Sequence, residues 1–252
     1  MEWNQLVSCA MNIGEQMHLA GAEVYRVEDC IYRICRAYGA LDVEVFTITS
    51  SIILTVQSPD GATWTQTCRI SQAQTDLQRL DALNRLSREM CRTLPDYETV
   101  QAKLKAVMEE PRYPAWMNYI FYAIIAGGFT AFVGGGWQDS LVSMAIGVGL
   151  YLVVRIMGFL GFNQVFTCLL ASFYMSFFAI LISRLSPVFT AGMIIIGNIM
   201  PLIPGISFTV SLRDMITGDT MSGILRFMEA CIVSLAIASG YFLAGVLLGV
   251  TV

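Results

Sequence analysis

The feature that most constrains this chain is the near absence of charge from its second half. Residues 115–252 contain four arginines, four acidic residues and no lysine, whereas residues 1–114 contain 11 Lys/Arg and 15 Asp/Glu. Over the whole chain 13% of residues are charged, far below the roughly 25% that is usual for soluble domains. The sequence therefore predicts two regions in different solvents, the second of them in a membrane.

The membrane domain, residues 111–252, is predicted to be α-helical and to cross the bilayer five times. A span needs about 20 mostly apolar residues. An odd number of spans puts the two termini on opposite sides of the membrane. The predicted spans are 117–135, 140–160, 164–184, 188–212 with a break near Pro201 and Pro204, and 223–250.

Basic residues beside the first span predict the orientation. Lys103, Lys105 and Arg112 precede this span, and the GGGWQD segment that follows it has no basic residue. Since Lys and Arg concentrate on the cytoplasmic side, we expect a multi-pass protein of the inner or plasma membrane with a cytoplasmic N-terminal domain. Arg184 falls on the outer side in this arrangement. The beginning of the chain lacks a signal-peptide pattern, which predicts an uncleaved N-terminus.

Residues 1–110 are predicted to form a small α+β domain. Apolar residues at helical spacing predict two helices, with Gly21 and Gly39 where their C-terminal caps fall. Three β-rich segments follow, with a PDG turn between the last two. A helix closed by Pro95 and a final helix at 96–109 complete the order ααβββαα.

The cysteines, the histidine and the net charge exclude several classes of site. The seven cysteines form no CxxC pair and have no nearby histidine, so we expect reduced, mostly buried thiols and no metal site. His18, the only histidine, lies at a helix end, where a cap or surface role is expected. The formal charge of −4 argues against a nucleic-acid surface. We therefore predict no enzyme, no cofactor and no nucleic-acid partner.

Charged residues line one face of the second helix. They are Arg26, Asp29, Arg33 and Arg36, within and after the AGAEVYRVED segment. A solvated face with an Asp29–Arg33 pair at i,i+4 spacing explains this pattern without any function.

The fourth span is interrupted in the segment GNIMPLIPGISFTVSLRDMITGD. Pro201 and Pro204 each remove a backbone donor, so the freed carbonyls must be met by protein or by water in a cavity. If the helix restarts near Gly205, its positive end offers a carboxylate site at mid-membrane. Polar residues flank the break on both sides. Asn198 precedes it. Three polar residues follow it at the helical spacing i, i+4 and i+7, namely Ser207, Ser211 and Asp214.

Ionisable residues concentrate around the same break. Arg226 and Glu229 in the last span are three residues apart and share a helix face. Such groups are costly in lipid and should face the interior or a partner. A structural network of charges at the membrane interface would explain these residues, and so would a substrate or proton pathway. The pathway is favoured because the helix break and the charges occur together. The candidates are Arg213, Asp214, Asp219, Arg226 and Glu229.

Several motifs together resemble the threonine/serine exporter family, ThrE, over nearly the whole chain. The combination of Pro-x-x-Pro-Gly with Arg-Asp and Gly-Asp is the most specific of them. The motifs are GAEVYRVED (21–29), VEVFTITSSIIL (43–54), RYPAW (112–116), GGGW (134–137), MPLIPG (200–205) and RDMITGDTMSGILRFMEA (213–230).

The resemblance implies the larger subunit of a split-form exporter. That form pairs a subunit with a cytoplasmic domain and five spans with a second, smaller ThrE-type (YjjB-like) membrane subunit. It implies export of a small carboxylate, either threonine/serine or a C4-dicarboxylate such as succinate. Because the second half of the fused form is absent here, transport by this chain alone is not expected, and a homo-oligomer of the complex stays open.

The resemblance also implies which residues matter. Pro201, Pro204 and Gly205 would form the break, and the N-terminal motif would lie at an interface between the soluble domain and the membrane region. The matching charged and glycine positions are Gly21, Arg26 and Glu28 in that motif and Arg213, Asp214, Gly218, Asp219, Arg226 and Glu229 around the pathway.

The main hypothesis is a proton-coupled exporter. The helix end near Gly205 and Arg213 or Arg226 would hold the substrate carboxylate. Glu229 or Asp214 would carry the proton, because burial raises the pKa of a carboxyl group and a nearby arginine lowers it.

Two alternatives stay open at this point. An accessory or sensing subunit would use the soluble domain to regulate another transporter. An intramembrane aspartyl protease is suggested by TGD at 217–219, but it needs two facing aspartates. The other candidates are Asp214 in the same segment and Asp139, which is expected in a loop.

Overall fold

The computed structural model describes residues 1–70, 75–110 and 113–250. Arg112, part of the predicted orientation signal and of the RYPAW motif, lies outside these residues, as does Pro111. The chain forms two compact units. The first comprises Met1–Pro111 and Thr209–Phe227, and the second comprises Arg112–Phe208 and Met228–Val252.

Two helices open the first unit, α1 (Trp3–Leu19) and α2 (Val24–Ala37). Gly21 and Gly39 lie two residues beyond their ends, with φ angles of 90° and 91°. Because this conformation strains any residue with a Cβ atom, glycine is favoured at both positions. The Gly21 N–H donates to the carbonyl of His18 at 3.0 Å, which closes the end of α1. Both predicted caps are confirmed.

Three antiparallel strands follow in the order β1-β2-β3: β1 (Asp42–Ile48), β2 (Ser51–Gln57) and β3 (Thr63–Arg69). Ile52, Leu54 and Val56 alternate along β2 and are fully buried. Since side chains alternate across a strand, this face of the sheet belongs to the core. The predicted three-stranded sheet is confirmed.

Helices α3 (Leu77–Thr93) and α4 (Tyr97–Glu109) complete this part of the first unit. Pro95 follows the end of α3, as predicted. The core of the unit combines apolar residues from both pairs of helices and from the sheet. Among its fully buried members are Ile13, Ile31, Ile52, Leu83 and Val100.

Long apolar helices make the chain a multi-pass membrane protein. Within the described residues four helices are long and apolar enough to span a bilayer, and a bent pair brings the number to five if the pair is one span. The pair consists of Ala191–Leu202 and Gly205–Thr217, bent by 54°. The predicted break is therefore confirmed. The helices are α5 (Ala115–Phe132), α6 (Trp137–Phe159), α7 (Gln164–Leu185), α8 (Ala191–Ile199), α9 (Gly205–Thr217) and α10 (Thr220–Leu247).

Close helix packing in the second unit depends on small residues. A Cβ atom built on Gly147 of α6 would lie 2.7 Å from the backbone oxygen of Tyr122 in α5. No real Cβ atom fits at that distance, so α5 and α6 approach as they do because position 147 is glycine. Gly158, on the same helix, has no atom within 4 Å of such a Cβ.

Candidate functional site

The break between α8 and α9 is formed by the two predicted prolines. Pro201 lies in a short 3₁₀ turn, Met200–Leu202, and Pro204 directly precedes α9. The helix restarts at Gly205, as expected, and the N–H of Phe208 donates to the Pro204 carbonyl at 3.0 Å. The positive end of the α9 dipole therefore lies at the break.

Asn198 belongs to a neutral hydrogen-bonded network in the second unit. Its side-chain amide donates to the Ser143 hydroxyl at 2.8 Å and to the Ile194 carbonyl at 3.0 Å. The hydroxyls of Ser143 and Thr130 are 2.6 Å apart. All three polar side chains are fully buried. Hydrogen bonds of this kind join neighbouring membrane helices, which gives the Asn198 amide nitrogen a packing role, while the buried Oδ1 atom has no hydrogen-bond partner among the described residues.

Asp139 is a structural residue of the second unit. Its prediction in a loop is wrong, because it lies in the first turn of α6. The buried carboxylate accepts hydrogen bonds from the N–H groups of Gly136 at 3.2 Å and Thr190 at 2.9 Å. An acidic residue at this position satisfies helix-start donors, and both of its oxygens are occupied.

The TGD segment is the turn that ends α9. Gly218 has a φ angle of 106°, and the N–H of Asp219 donates to the carbonyl of Asp214 at 2.9 Å. The Thr217 hydroxyl donates to the Arg213 carbonyl at 3.1 Å. This helix-terminating geometry explains the residues that suggested a protease.

Asp214 and Arg226 form a buried ion pair within the first unit. The side chain of Asp214 is 1% exposed and that of Arg226 is 12% exposed. The Arg226 Nε atom lies 3.7 Å from Asp214 Oδ2, beyond hydrogen-bond distance. That oxygen has no hydrogen-bond partner among the described residues. The pair is therefore loosely made in a place where charges are costly to bury.

Arg213 pairs with a residue of the N-terminal motif. Its guanidinium lies 2.7 Å from Glu23 Oε1, and the Glu23 side chain is 14% exposed. Glu23 directly precedes α2 and lies in GAEVYRVED, but the sequence patterns did not single it out. Two features of the sequence point to Glu23 as a candidate site residue: it lies in the N-terminal motif, and it directly precedes a helix.

His18 is buried, so its expected surface role is wrong. It is 1% exposed, and its Nε2 atom lies 3.2 Å from the Thr49 carbonyl oxygen. Burial and the positive charge of Arg226 lower the pKa of His18 to about 4. The imidazole is therefore neutral at pH 7. The return of residues 209–227 to this unit brings Arg226 near, which local sequence patterns do not reveal.

Glu28 is the acidic member of the N-terminal motif that the resemblance identified. Its Oε1 atom accepts the N–H of Thr47 at 2.8 Å. Burial raises the pKa of Glu28, the hydrogen bond from Thr47 opposes this, and the negative charge of Asp219 raises it further. Asp219 and Glu28 are thus electrostatic neighbours. Arg26 lines a cavity between α2 and α3 instead.

The predicted site residues are divided between the two units. The first unit holds the N-terminal motif and the charges at the end of α9 and the beginning of α10, together with buried Ser211. The second unit holds Asn198, Pro201, Pro204 and Gly205, and also half-buried Ser207 and exposed Glu229.

The first unit therefore contains an ionic cluster, which we define as His18, Glu23, Glu28, Arg213, Asp214, Asp219 and Arg226. Four carboxyl groups face two guanidinium groups and one neutral imidazole. The cluster is partly buried, since the Asp214 side chain is 1% exposed and that of Arg213 is 60% exposed, and an excess of carboxyl groups near a buried position favours proton uptake there. A guanidinium that lies far from its paired carboxylate keeps N–H groups free of that partner, and these can donate hydrogen bonds to a second carboxylate. The cluster is chemically suited to bind a proton and a carboxylate.

Comparison with known proteins identifies related transporters. Residues 8–248 match the family profile described as "Putative threonine/serine exporter". The chain is 25% identical to "Probable succinate transporter subunit YjjP" of Klebsiella aerogenes over 94% of its own length and 90% of that protein. It is 22% identical to the Escherichia coli protein of the same description, over 89% and 87%.

A longer relative shares the same region. "Threonine/serine exporter" of Corynebacterium glutamicum is 24% identical over 72% of this chain but only 37% of that protein. The alignment therefore covers well under half of this longer exporter. No solved structure matches the chain significantly.

Proposed function

Since the chain belongs to the threonine/serine exporter family, we propose that it is the larger subunit of a secondary transporter that exports small carboxylate metabolites. The related proteins are described as a succinate transporter subunit and as a threonine/serine exporter. Both substrates carry a carboxylate, so the proposed substrate class is threonine/serine or a C4-dicarboxylate such as succinate. The buried Asp214–Arg226 pair is the observation that carries the proposal.

Arg226 is the proposed carboxylate-binding residue. Its guanidinium has five N–H donors, and the Asp214 carboxylate lies 3.7 Å from Nε without a hydrogen bond. A substrate carboxylate can therefore take over the guanidinium by forming the two parallel hydrogen bonds that Asp214 lacks. Arg213 stays engaged by Glu23 at 2.7 Å, which makes it the less available of the two arginines.

Asp214 is the proposed proton carrier. When a substrate engages Arg226, Asp214 loses its positive partner and remains buried, and both changes favour its protonated form. When the substrate leaves, the ion pair forms again and the proton is released. Substrate and proton thus bind together and leave together, so export is coupled to proton movement: the outward gradient of the substrate drives it, and an inward proton gradient opposes it. Glu229 is exposed and lies in the second unit, so Asp214 is the better placed of the two predicted carriers.

The experiment compares Asp214→Asn with Glu229→Gln in cells that express the assembled complex. Efflux of preloaded radiolabelled threonine and succinate is measured at several external pH values. We expect Asp214→Asn to reduce export at least tenfold and to remove its dependence on pH, while Glu229→Gln keeps both. The reverse pattern would identify Glu229 as the carrier and refute this assignment.

A second membrane subunit of the smaller, YjjB-like type is the proposed partner. Two related proteins are described as subunits, and the longer exporter contains sequence beyond the region shared with this chain. We expect efflux only when both subunits are expressed, with the two proteins purifying together. Efflux from cells that contain this chain alone would contradict the two-subunit proposal.

The N-terminal domain, residues 1–110, is proposed to face the cytoplasm. Lys103 and Lys105 of α4 precede the first apolar helix, and retention of basic residues on the cytoplasmic side supports this orientation. The proposed setting is the inner or plasma membrane. Labelling of a single reporter cysteine in α4, in a variant whose native cysteines are replaced, tests the side: protection in intact cells is expected.

A further inference from the structure

A cavity of about 430 Å³ lies between α2 and α3 in the first unit. Its most unusual feature is that four arginines line it. Arg26 and Arg33 come from α2, and Arg88 and Arg92 come from α3. Residues seven apart span two helical turns and residues four apart span one, so each pair projects from one helix face. The two faces together line a single space that is open to solvent, because Arg33, Arg88 and Arg92 are exposed.

The positive charge of this arginine cavity is largely uncompensated. Arg33 pairs with Asp29, with 2.8 Å between Nε and Oδ1. In the part of the chain that the structure describes, Arg26, Arg88 and Arg92 form no ion pair with a carboxylate. One acidic group therefore faces four guanidinium groups. Like charges held around one space repel each other, and a bound anion would relieve that repulsion.

The other residues that line the cavity limit which kind of ligand it can bind. Cys30 and Cys91 line the cavity, and burial raises the pKa of both thiols, that of Cys30 to about 11. Both thiols therefore stay protonated and are poor nucleophiles, which favours binding over covalent chemistry. None of the lining residues is aromatic, so nothing in the wall would stack on a nucleobase. Planar guanidinium groups suit phosphate oxygens through paired hydrogen bonds.

We propose that the arginine cavity binds a small phosphorylated anion that carries two or more negative charges. The volume lies within the range of small-molecule sites, roughly 300–1,000 Å³. Three unpaired arginines match the charge of such an anion, whereas a monovalent anion would leave most of the repulsion in place. The cavity shares no residue with the ionic cluster, so this proposal does not depend on the transport mechanism.

Calorimetric titration of the full chain with pyrophosphate tests the proposal. The protein is held in nanodiscs of zwitterionic lipid, so that no lipid charge competes. We expect the wild type to bind pyrophosphate and the variant Arg88→Ala/Arg92→Ala to bind at least tenfold more weakly. Arg85→Ala is the matched control on the same helix: Arg85 pairs with Asp81 at 2.9 Å and does not line the cavity. This control should bind like the wild type.

A second variant on the opposite wall guards against misfolding of the first. Arg26→Ala should also weaken pyrophosphate binding. Absence of binding to the wild type, or equal affinity of the wild type and both cavity variants, would overturn the proposal. Native mass spectrometry with phosphatidylglycerol distinguishes the source of the phosphate. If pyrophosphate fails to bind while the arginine variants lose retained phosphatidylglycerol, the ligand is a lipid headgroup and the proposed free anion is wrong.

Discussion

The two units bury polar side chains of different kinds. In the second unit, Thr130, Ser143 and Asn198 are neutral and hydrogen-bonded to each other or to a helix carbonyl. In the first unit, the buried pair Asp214 and Arg226 is charged and held at 3.7 Å. Neutral groups at short distances join helices at little cost, whereas a long buried ion pair is expensive and can change its protonation. The neutral side chains of the second unit therefore serve helix packing, whereas the charged pair of the first unit is the candidate for binding and proton transfer.

The largest expected effect comes from breaking the charged pair. Arg226→Ala leaves the Asp214 carboxylate buried without a cation, which costs about 3–5 kcal/mol when one partner of a buried pair is removed. The purified protein should unfold at a clearly lower temperature, as followed by circular dichroism in detergent. Adding Asp214→Asn should recover part of the loss. A double variant no more stable than Arg226→Ala would show that the two side chains are not coupled.

Acidification should weaken the first unit through His18. Its folded pKa of about 4 lies below the ordinary 6.5, so the unfolded chain binds more protons between these values. The contribution of neutral His18 to the free energy of unfolding is fully present above pH 6.5. It is lost as the pH falls from 6.5 through about 4, by roughly 3 kcal/mol in total. Glu28, whose pKa is raised, acts in the opposite direction.

The difference between the wild type and His18→Gln isolates the histidine. Thermal midpoints of both proteins are measured from pH 7 to pH 4. The wild type should lose stability relative to the variant as the pH falls. Parallel curves would show that His18 does not carry an altered pKa, and the ionic cluster would then have to be described without it.

In the second unit, the close approach of α5 and α6 should be sensitive to one methyl group. Gly147→Ala places a Cβ atom 2.7 Å from the Tyr122 carbonyl oxygen, which forces the helices apart at a cost of about 1–3 kcal/mol. Gly158→Ala, on the same helix with open space around it, is the control and should not destabilise. Equal thermal midpoints for both variants would contradict the packing at Gly147.

The smallest effect is expected in the neutral network. Ser143→Ala removes hydrogen bonds to Asn198 and Thr130, and such bonds between membrane helices average about 0.6 kcal/mol. Ser239→Ala is a suitable control, because Ser239 is half-buried and its hydroxyl donates to the Leu235 carbonyl of its own helix at 2.8 Å. A loss as large as that of Arg226→Ala would mean that the two units do not differ as described.

The local elements could be predicted because nearby residues determine them. Gly21 and Gly39 end helices by conformation, Ile52, Leu54 and Val56 alternate along a strand, and the two prolines break the helix before Gly205. The cysteines are free thiols, four of them buried, as expected. Each of these features follows from the conformational preferences or polarity of residues close in sequence.

The site itself could be predicted only in part, because its contacts are distant in sequence. Arg213 and Glu23 are 190 residues apart, and no spacing rule relates them. The surroundings of His18 also depend on residues 209–227, a segment distant in sequence that packs in the same unit as His18. Asp214 and Arg226 stand out in the sequence because ionisable residues are rare in an apolar region, but only the fold brings the two side chains together.

The first unit is assembled from pieces that the ribosome delivers far apart in time. Residues 209–227 follow the first stretch only after residues 112–208, the larger part of the second unit, have been made. At roughly 5–20 residues per second, that interval is on the order of ten seconds. During this time the nascent N-terminal stretch lacks the partner of Glu23 and exposes a surface that is later covered. Truncation after residue 110 would make that temporary state permanent.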